Sequence, residues 1–315
     1  MYKLIRSSLC VAVLAALSAS GAYAAQVLGP DTDEDDLVPT GKGWGQRNYP
    51  TPHQNDHANP NGNAGKTAIG SGINYHGGPV MLGTTNVYYI WYGNWADNTA
   101  TSILTDLATG IGGSPYYNIN TTYYDGSKTK VTNSVHYAGS STDSNYSRGK
   151  ALTDTDIKTI VSSAMSGGLP KDTNGVYFVL TSADVNATSG FCTQYCGWHT
   201  HGTISGLDIK YSFVGNPDRC PSACSAQTTG PNGNAGADGM ASIIAHELEE
   251  AVTDPDLNAW YDRRGAENAD KCAWTFGKTY AAGNGALANM KLGTRDYLIQ
   301  RNWVNAASGF CATSY

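Results

Sequence analysis

Six cysteines confined to the second half of the chain restrict its fold more than any other feature. They are Cys192, Cys196, Cys220, Cys224, Cys272 and Cys311, and a seventh, Cys10, falls inside an N-terminal leader. Residues 1–24 read as a bacterial-type secretory signal peptide. Lys3 and Arg6 precede a short apolar run, Ser7 to Ala19, and Ala22-Tyr23-Ala24 supplies a small-x-small cleavage signature. An even set of cysteines in an exported chain predicts up to three disulfides stapling loops in the C-terminal half. The two C-x-x-x-C pairs would also suit a four-cysteine zinc site, but an oxidising compartment favours disulfides. Spacing leaves the pairing open.

The leader is too short to span a bilayer, which takes roughly 20 apolar residues, and nothing later qualifies. A secreted protein is therefore expected, periplasmic or extracellular, without a membrane span. Loss of Lys3 and Arg6 takes the formal charge from −6 to −8, which argues against nucleic acid as a partner. The abundance of Gly (37 residues) and Tyr (20 residues) fits a loop-rich, partly β extracellular fold.

Residues 25–74 carry an acidic run, Asp31 to Asp36, followed by Pro, Gly, Asn and His with almost no aliphatic periodicity. They read as a flexible leader, either a solvated tail or a pro-segment that covers a site. A single globular domain is expected over 75–315. Asn86 to Tyr92, Val176 to Thr181 and Leu207 to Val214 are β-branched and aromatic runs that predict strands. Ile103, Leu104, Leu107 and Ile111 predict one helix, and Ile157, Ile160, Val161 and Met165, capped by Thr153 or Asp154, a second. Tyr116 to Tyr137, broken at Asp125-Gly126, reads as a hairpin. The alternation predicts an α/β or α+β domain with a central sheet and flanking helices.

From Asp238, taken as N-cap, the segment to Thr253 reads as a helix with Met240, Ile243, Ile244, Leu248, Ala251 and Val252 on one face. At roughly 100° per residue, Glu247 falls inside that apolar sector, with His246 and Glu250 along its edge and Glu249 opposite. A buried carboxylate needs a cation, a metal-bound water or a proton. His246 and Glu250, four apart, can reach one point above the helix as the histidines of H-E-x-x-H do, with glutamate in place of the second histidine. Glu247 then stands where a general base for metal-bound water belongs. Glu267 is the expected third ligand, and Asp254, Asp256, Asp262 and Asp270 are further acidic or supporting candidates. Zinc is the first metal and calcium the second. The plainer alternative is that His246 and Glu250 pair with Arg263, Arg264 or Lys271.

His199 and His201 would share one side of an extended segment and could ligate together, although such a pair is more often polar loop. His76 and His136 read as structural. Trp91, Tyr92, Trp95 and Trp198 could stack on sugars, although aromatic runs in strands are more often core. No G-x-S-x-G elbow, phosphate-binding loop or dinucleotide fingerprint is present.

Several motifs, in order, carry a family resemblance. His76-Gly-Gly-Pro-Val-Met81 precedes Val87-Tyr-Tyr-Ile-Trp-Tyr-Gly-Asn-Trp95, then Gly190-Phe-Cys-Thr-Gln-Tyr-Cys-Gly-Trp-His199. Tyr211-Ser-Phe-Val-Gly-Asn216 leads to Cys220-Pro-Ser-Ala-Cys224, and Gly236-Ala-Asp-Gly-Met240 to Thr253-Asp-Pro255. From about Tyr75 onward the chain resembles the phosphate-induced protein 1 family, which includes the plant EXORDIUM proteins. The resemblance implies a secreted or wall-associated protein, in plants linked to growth and cell expansion, with no enzymatic activity to carry over. The His246, Glu247 and Glu250 helix is where the chain departs from the plant pattern.

Two functions follow as expectations. One is a secreted metal-dependent hydrolase acting on peptide bonds, with Glu247 as base. The other is a non-catalytic EXORDIUM-like protein that binds cell-wall polysaccharide or a partner, its metal site structural or absent. They separate at Glu247, whose change to Gln abolishes hydrolysis only if there is any.

Overall fold

The computed structural model of the chain describes residues 39–42 and 72–315. The signal peptide and most of the 25–74 leader lie outside the described residues. The core is a five-stranded sheet of β1 (Thr85–Tyr92), β2 (Val135–Asp143), β3 (Gly175–Thr181), β4 (Gly197–Ile204) and β5 (Leu207–Val214), in the order β2-β1-β3-β5-β4. The first four in that order run parallel, and β4 turns back antiparallel on β5 to form an edge. Strands β1 and β3 are buried almost throughout, which is why they read as continuous apolar runs rather than alternating ones.

Three main helices flank the sheet. They are α1 (Ala100–Ile111), α2 (Asp154–Ser166) and α3 (Ala235–Thr253). Thr153 caps α2 in a full capping box with Asp156. Helix α3 packs on α1 and against β3, β4 and β5, so it runs along the sheet as its apolar face predicted. Beyond it the chain forms paired two- and three-residue strands, among them Asn302–Val304 with Phe310–Ala312. The six cysteines close as Cys192–Cys220, Cys196–Cys224 and Cys272–Cys311. The two C-x-x-x-C segments are thus stapled to each other in register, and the four-cysteine zinc alternative falls.

Three expectations are corrected. The Tyr116 to Tyr137 hairpin does not form: Tyr117–Thr122 is a 3-10 helix, in which the Thr121 and Thr122 hydroxyls donate to Asn118 and Ile119 carbonyls at 2.8 Å. Only a single bridge, Tyr124 with Lys130, surrounds the Asp125-Gly126 turn, and β2 pairs in parallel with distant β1 instead. The N-cap of α3 is Asn234, whose side chain accepts from Ala237 N, and Asp238 sits in the first turn. Glu249 is not solvated; it is fully buried because the C-terminal segment covers the far side of α3. Trp91, Tyr92, Trp95 and Trp198 are buried, in agreement with the core reading of these aromatics and not with a sugar-stacking surface.

Candidate metal centre

Helix α3 is buried on nearly every side, and its exit is held by a tight turn. Asp254 Oδ1 accepts hydrogen bonds from the backbone of Asn258 and Ala259, both at 2.6 Å. This folds the following loop back along the helix, where Asn268 Nδ2 donates to the Glu249 carbonyl at 3.2 Å. Asp270 N then reaches Glu250 Oε1 at 3.0 Å. The loop's return is what carries Glu267 and Asp270 to the helix.

Two overlapping groups result, both fully buried and both containing Glu250. In the first, His246 Nε2 lies 3.0 Å from Glu250 Oε1 and 3.4 Å from Asp270 Oδ1. In the second, His199 Nε2 on β4 lies 3.1 Å from Glu267 Oε1 and 3.7 Å from Glu250 Oε2. The expected third ligand Glu267 is therefore beside Glu250 but on the His199 side, while Asp270 takes the place next to His246. Glu247 is 2% exposed and its Oε2 has no protein partner. Its Oε1 points toward Gly197, where an added Cβ would come within 2.9 Å.

Burial sets the electrostatics. It pushes the carboxyls of Glu247 and Glu267 well above their ordinary value, with neighbouring carboxylates adding to the effect, and Glu250 to about 7, with Asp270 as the next cause. Burial by itself would lower His246, but Glu250, Asp270 and Glu247 override it and raise the imidazole well above its usual range. His199 goes the other way, to about 3, through burial and then the charges of His246 and His201. Four carboxyls and two imidazoles packed together stay neutral only by holding protons or a cation.

The other acidic candidates make contacts of their own, and Asp256 with His201 and Asp208 forms a third, less buried group that could hold an ion. Asp254 holds the turn, with its carboxyl raised by burial to about 7. Asp262 Oδ1 accepts from Arg264 N and Ala266 N, and its Oδ2 pairs with Lys271 at 2.8 Å. Asp256 joins Asp208, His201 and Lys210 in a half-buried ion cluster that already contains a lysine. His201 thus serves a different carboxylate group from His199, and the two do not ligate together. His76 stacks on Tyr261 at 3.6 Å between ring centroids.

His199 is the group that sequence reasoning ranked too low. Its signal was the histidine pair at i, i+2 in an extended segment; its partner carboxylates lie more than fifty residues away, so spacing could not reveal them. Its backbone N donates to Gly41 O at 3.0 Å, which seats the described part of the leader on the β4 edge, and Lys42 pairs there with Asp154.

Among the described residues no helix is long and apolar enough to cross a membrane. The family defined by the phosphate-induced protein 1 conserved region matches residues 73–300. Protein EXORDIUM-like 5 of Arabidopsis thaliana is 33% identical over 75% of this chain and 77% of the relative. Protein EXORDIUM-like 3 of the same plant is 32% identical over 75% and 81%. Protein PHOSPHATE-INDUCED 1 of Nicotiana tabacum is 28% identical over 65% and 73%. No solved structure matches the chain. Extent of match and identity together establish that the chain belongs to the phosphate-induced protein 1 family, alongside the EXORDIUM-like proteins.

Proposed function

We propose that this chain is an exported EXORDIUM-like protein that closes around a divalent metal centre at His246, Glu250 and Asp270, and that its role is binding, of wall polysaccharide or a partner, rather than catalysis. The observation that carries the reading is enclosure. His246, Glu250 and the Asp270 side chain are 2% exposed or less. Structural metal sites are closed in this way, whereas catalytic ones keep a position open to substrate. Imidazole and carboxylate donors suit zinc first and calcium second. Three disulfides and a signal-type leader support export.

Hydrolysis of peptide bonds is the second reading, and Glu247 Oε2, buried without a protein partner beside His246, favours it. A base for metal-bound water would stand there. In that reading the leader, docked through Gly41 on His199, is a pro-segment whose removal opens the site. The experiment is an assay of the mature protein on casein and on a peptide library, with Glu247→Gln beside it, together with sedimentation on insoluble wall polysaccharide. Binding without hydrolysis in either protein is the expected result. Turnover lost in Glu247→Gln with metal retained would overturn the binding role in favour of a hydrolase.

A further inference from the structure

We infer that the centre is built for two divalent cations bridged by Glu250, one held by His246 and Asp270, the other by His199 and Glu267. The inference rests on the metal-centre reading above and adds to it a second ion and two further ligands.

Glu250 offers its two oxygens to different histidines, Oε1 to His246 Nε2 at 3.0 Å and Oε2 to His199 Nε2 at 3.7 Å. The two histidines fall in separate ligand groups whose shared member is Glu250. Donors on one tetrahedral ion, each roughly 2.0–2.2 Å from it, stand about 3.3–3.6 Å apart. The 3.4 Å and 3.7 Å separations are long for hydrogen bonds and close to that spacing, while the 3.0 Å and 3.1 Å pairs are at hydrogen-bond distance and would open slightly around an ion. A carboxylate bridging through both oxygens is also a natural link for paired ions, which sit about 3.5–4 Å apart in two-metal sites.

Charge points the same way. Glu247, Glu250, Glu267 and Asp270 are buried together. With all four ionised, one dication would leave two of the carboxylates uncompensated in a dry interior, whereas two dications balance all four without bound protons. Glu247 supplies the independent sign of a missing group. It is buried, its Oε2 is unpartnered, and its Oε1 faces Gly197, two residues before His199 on the same side of β4. Glu247 thus brings a spare carboxylate oxygen to the same buried region, next to His246 in the chain.

The test uses the full mature chain, stripped with a chelator and dialysed against zinc alone, with metal counted per chain. Two zinc ions are expected, falling to one in His199→Ala and one in His246→Ala, and to none retained tightly in Glu250→Ala. Loading wild type with manganese gives a readout that needs no variant to fold: an exchange-coupled pair signal in electron paramagnetic resonance. One ion per chain, with the spectrum of an isolated manganese, would overturn the bridged pair while leaving the single metal centre standing. No bound metal at all would overturn both.

Discussion

The two halves of the domain are held together by different means. Up to Thr181 every buried polar residue among those described is uncharged, and β1 and β3 carry no charged residue at all. From Cys192 onward the interior contains Asp238, Glu247, Glu249, Glu250, Asp254, Asp262, Glu267 and Asp270, and all three disulfides lie there. The first half rests on apolar burial in regular elements. The second adds β4, β5 and α3 to the same core and surrounds them with cross-linked loops, short strands and buried carboxyls. Buried acidic charge is thus segregated along the chain, to α3 and the loops that follow it.

If that contrast is right, truncating the first half should be costly and indifferent to metal. Phe178→Ala in β3 is expected to destabilise by about 4 kcal/mol, equally with and without chelator, as read by denaturant unfolding. Chelation should act on the second half instead. Losing a cation present at roughly a thousand times its dissociation constant removes about 4 kcal/mol, a fall on the order of 10 °C in Tm by calorimetry. In hydrogen exchange the loss should concentrate in 246–275, and a fall spread evenly over β1 and β3 would break the contrast.

Replacing Cys272 and Cys311 by Ser is expected to cost about 3 kcal/mol, because a long loop regains its freedom in the unfolded chain. The bond joins the ligand loop to the terminal strand pair, so affinity for zinc should fall in the same variant. The smallest effect belongs to the first half's surface. Thr153→Ala removes the α2 cap at about 1 kcal/mol. Asp156, lowered to about 2 chiefly by hydrogen bonds from Thr153, contributes stability that is fully present above the ordinary carboxylate value and is lost as pH falls through about 2. An acid titration of wild type against Thr153→Ala should therefore converge at the acid end.

The regular elements are legible because their signals are local. Leu207–Val214 was read to the residue, and α1 and α2 followed from their 3.6-residue spacing and the Thr153 cap. In the polar half the sequence identified the residues but not their partners. Burial of Glu247 followed from helix phase, yet Glu249 was misjudged because phase assumes one solvent-facing side, and Asn302 covers that side from fifty-three residues on. Likewise His199 could not be joined to Glu267, sixty-eight residues away, since the link is made by the sheet edge meeting a returning loop. Local chemistry sets elements; the centre is assembled by tertiary closure.

The central claim is that a divalent cation completes the interior around α3. Elemental analysis of the mature protein, purified without chelator or affinity metal, tests it directly, with His246→Ala alongside. The account predicts at least one zinc or calcium per chain, diminished in the variant. A folded protein with no divalent metal in either sample would contradict it.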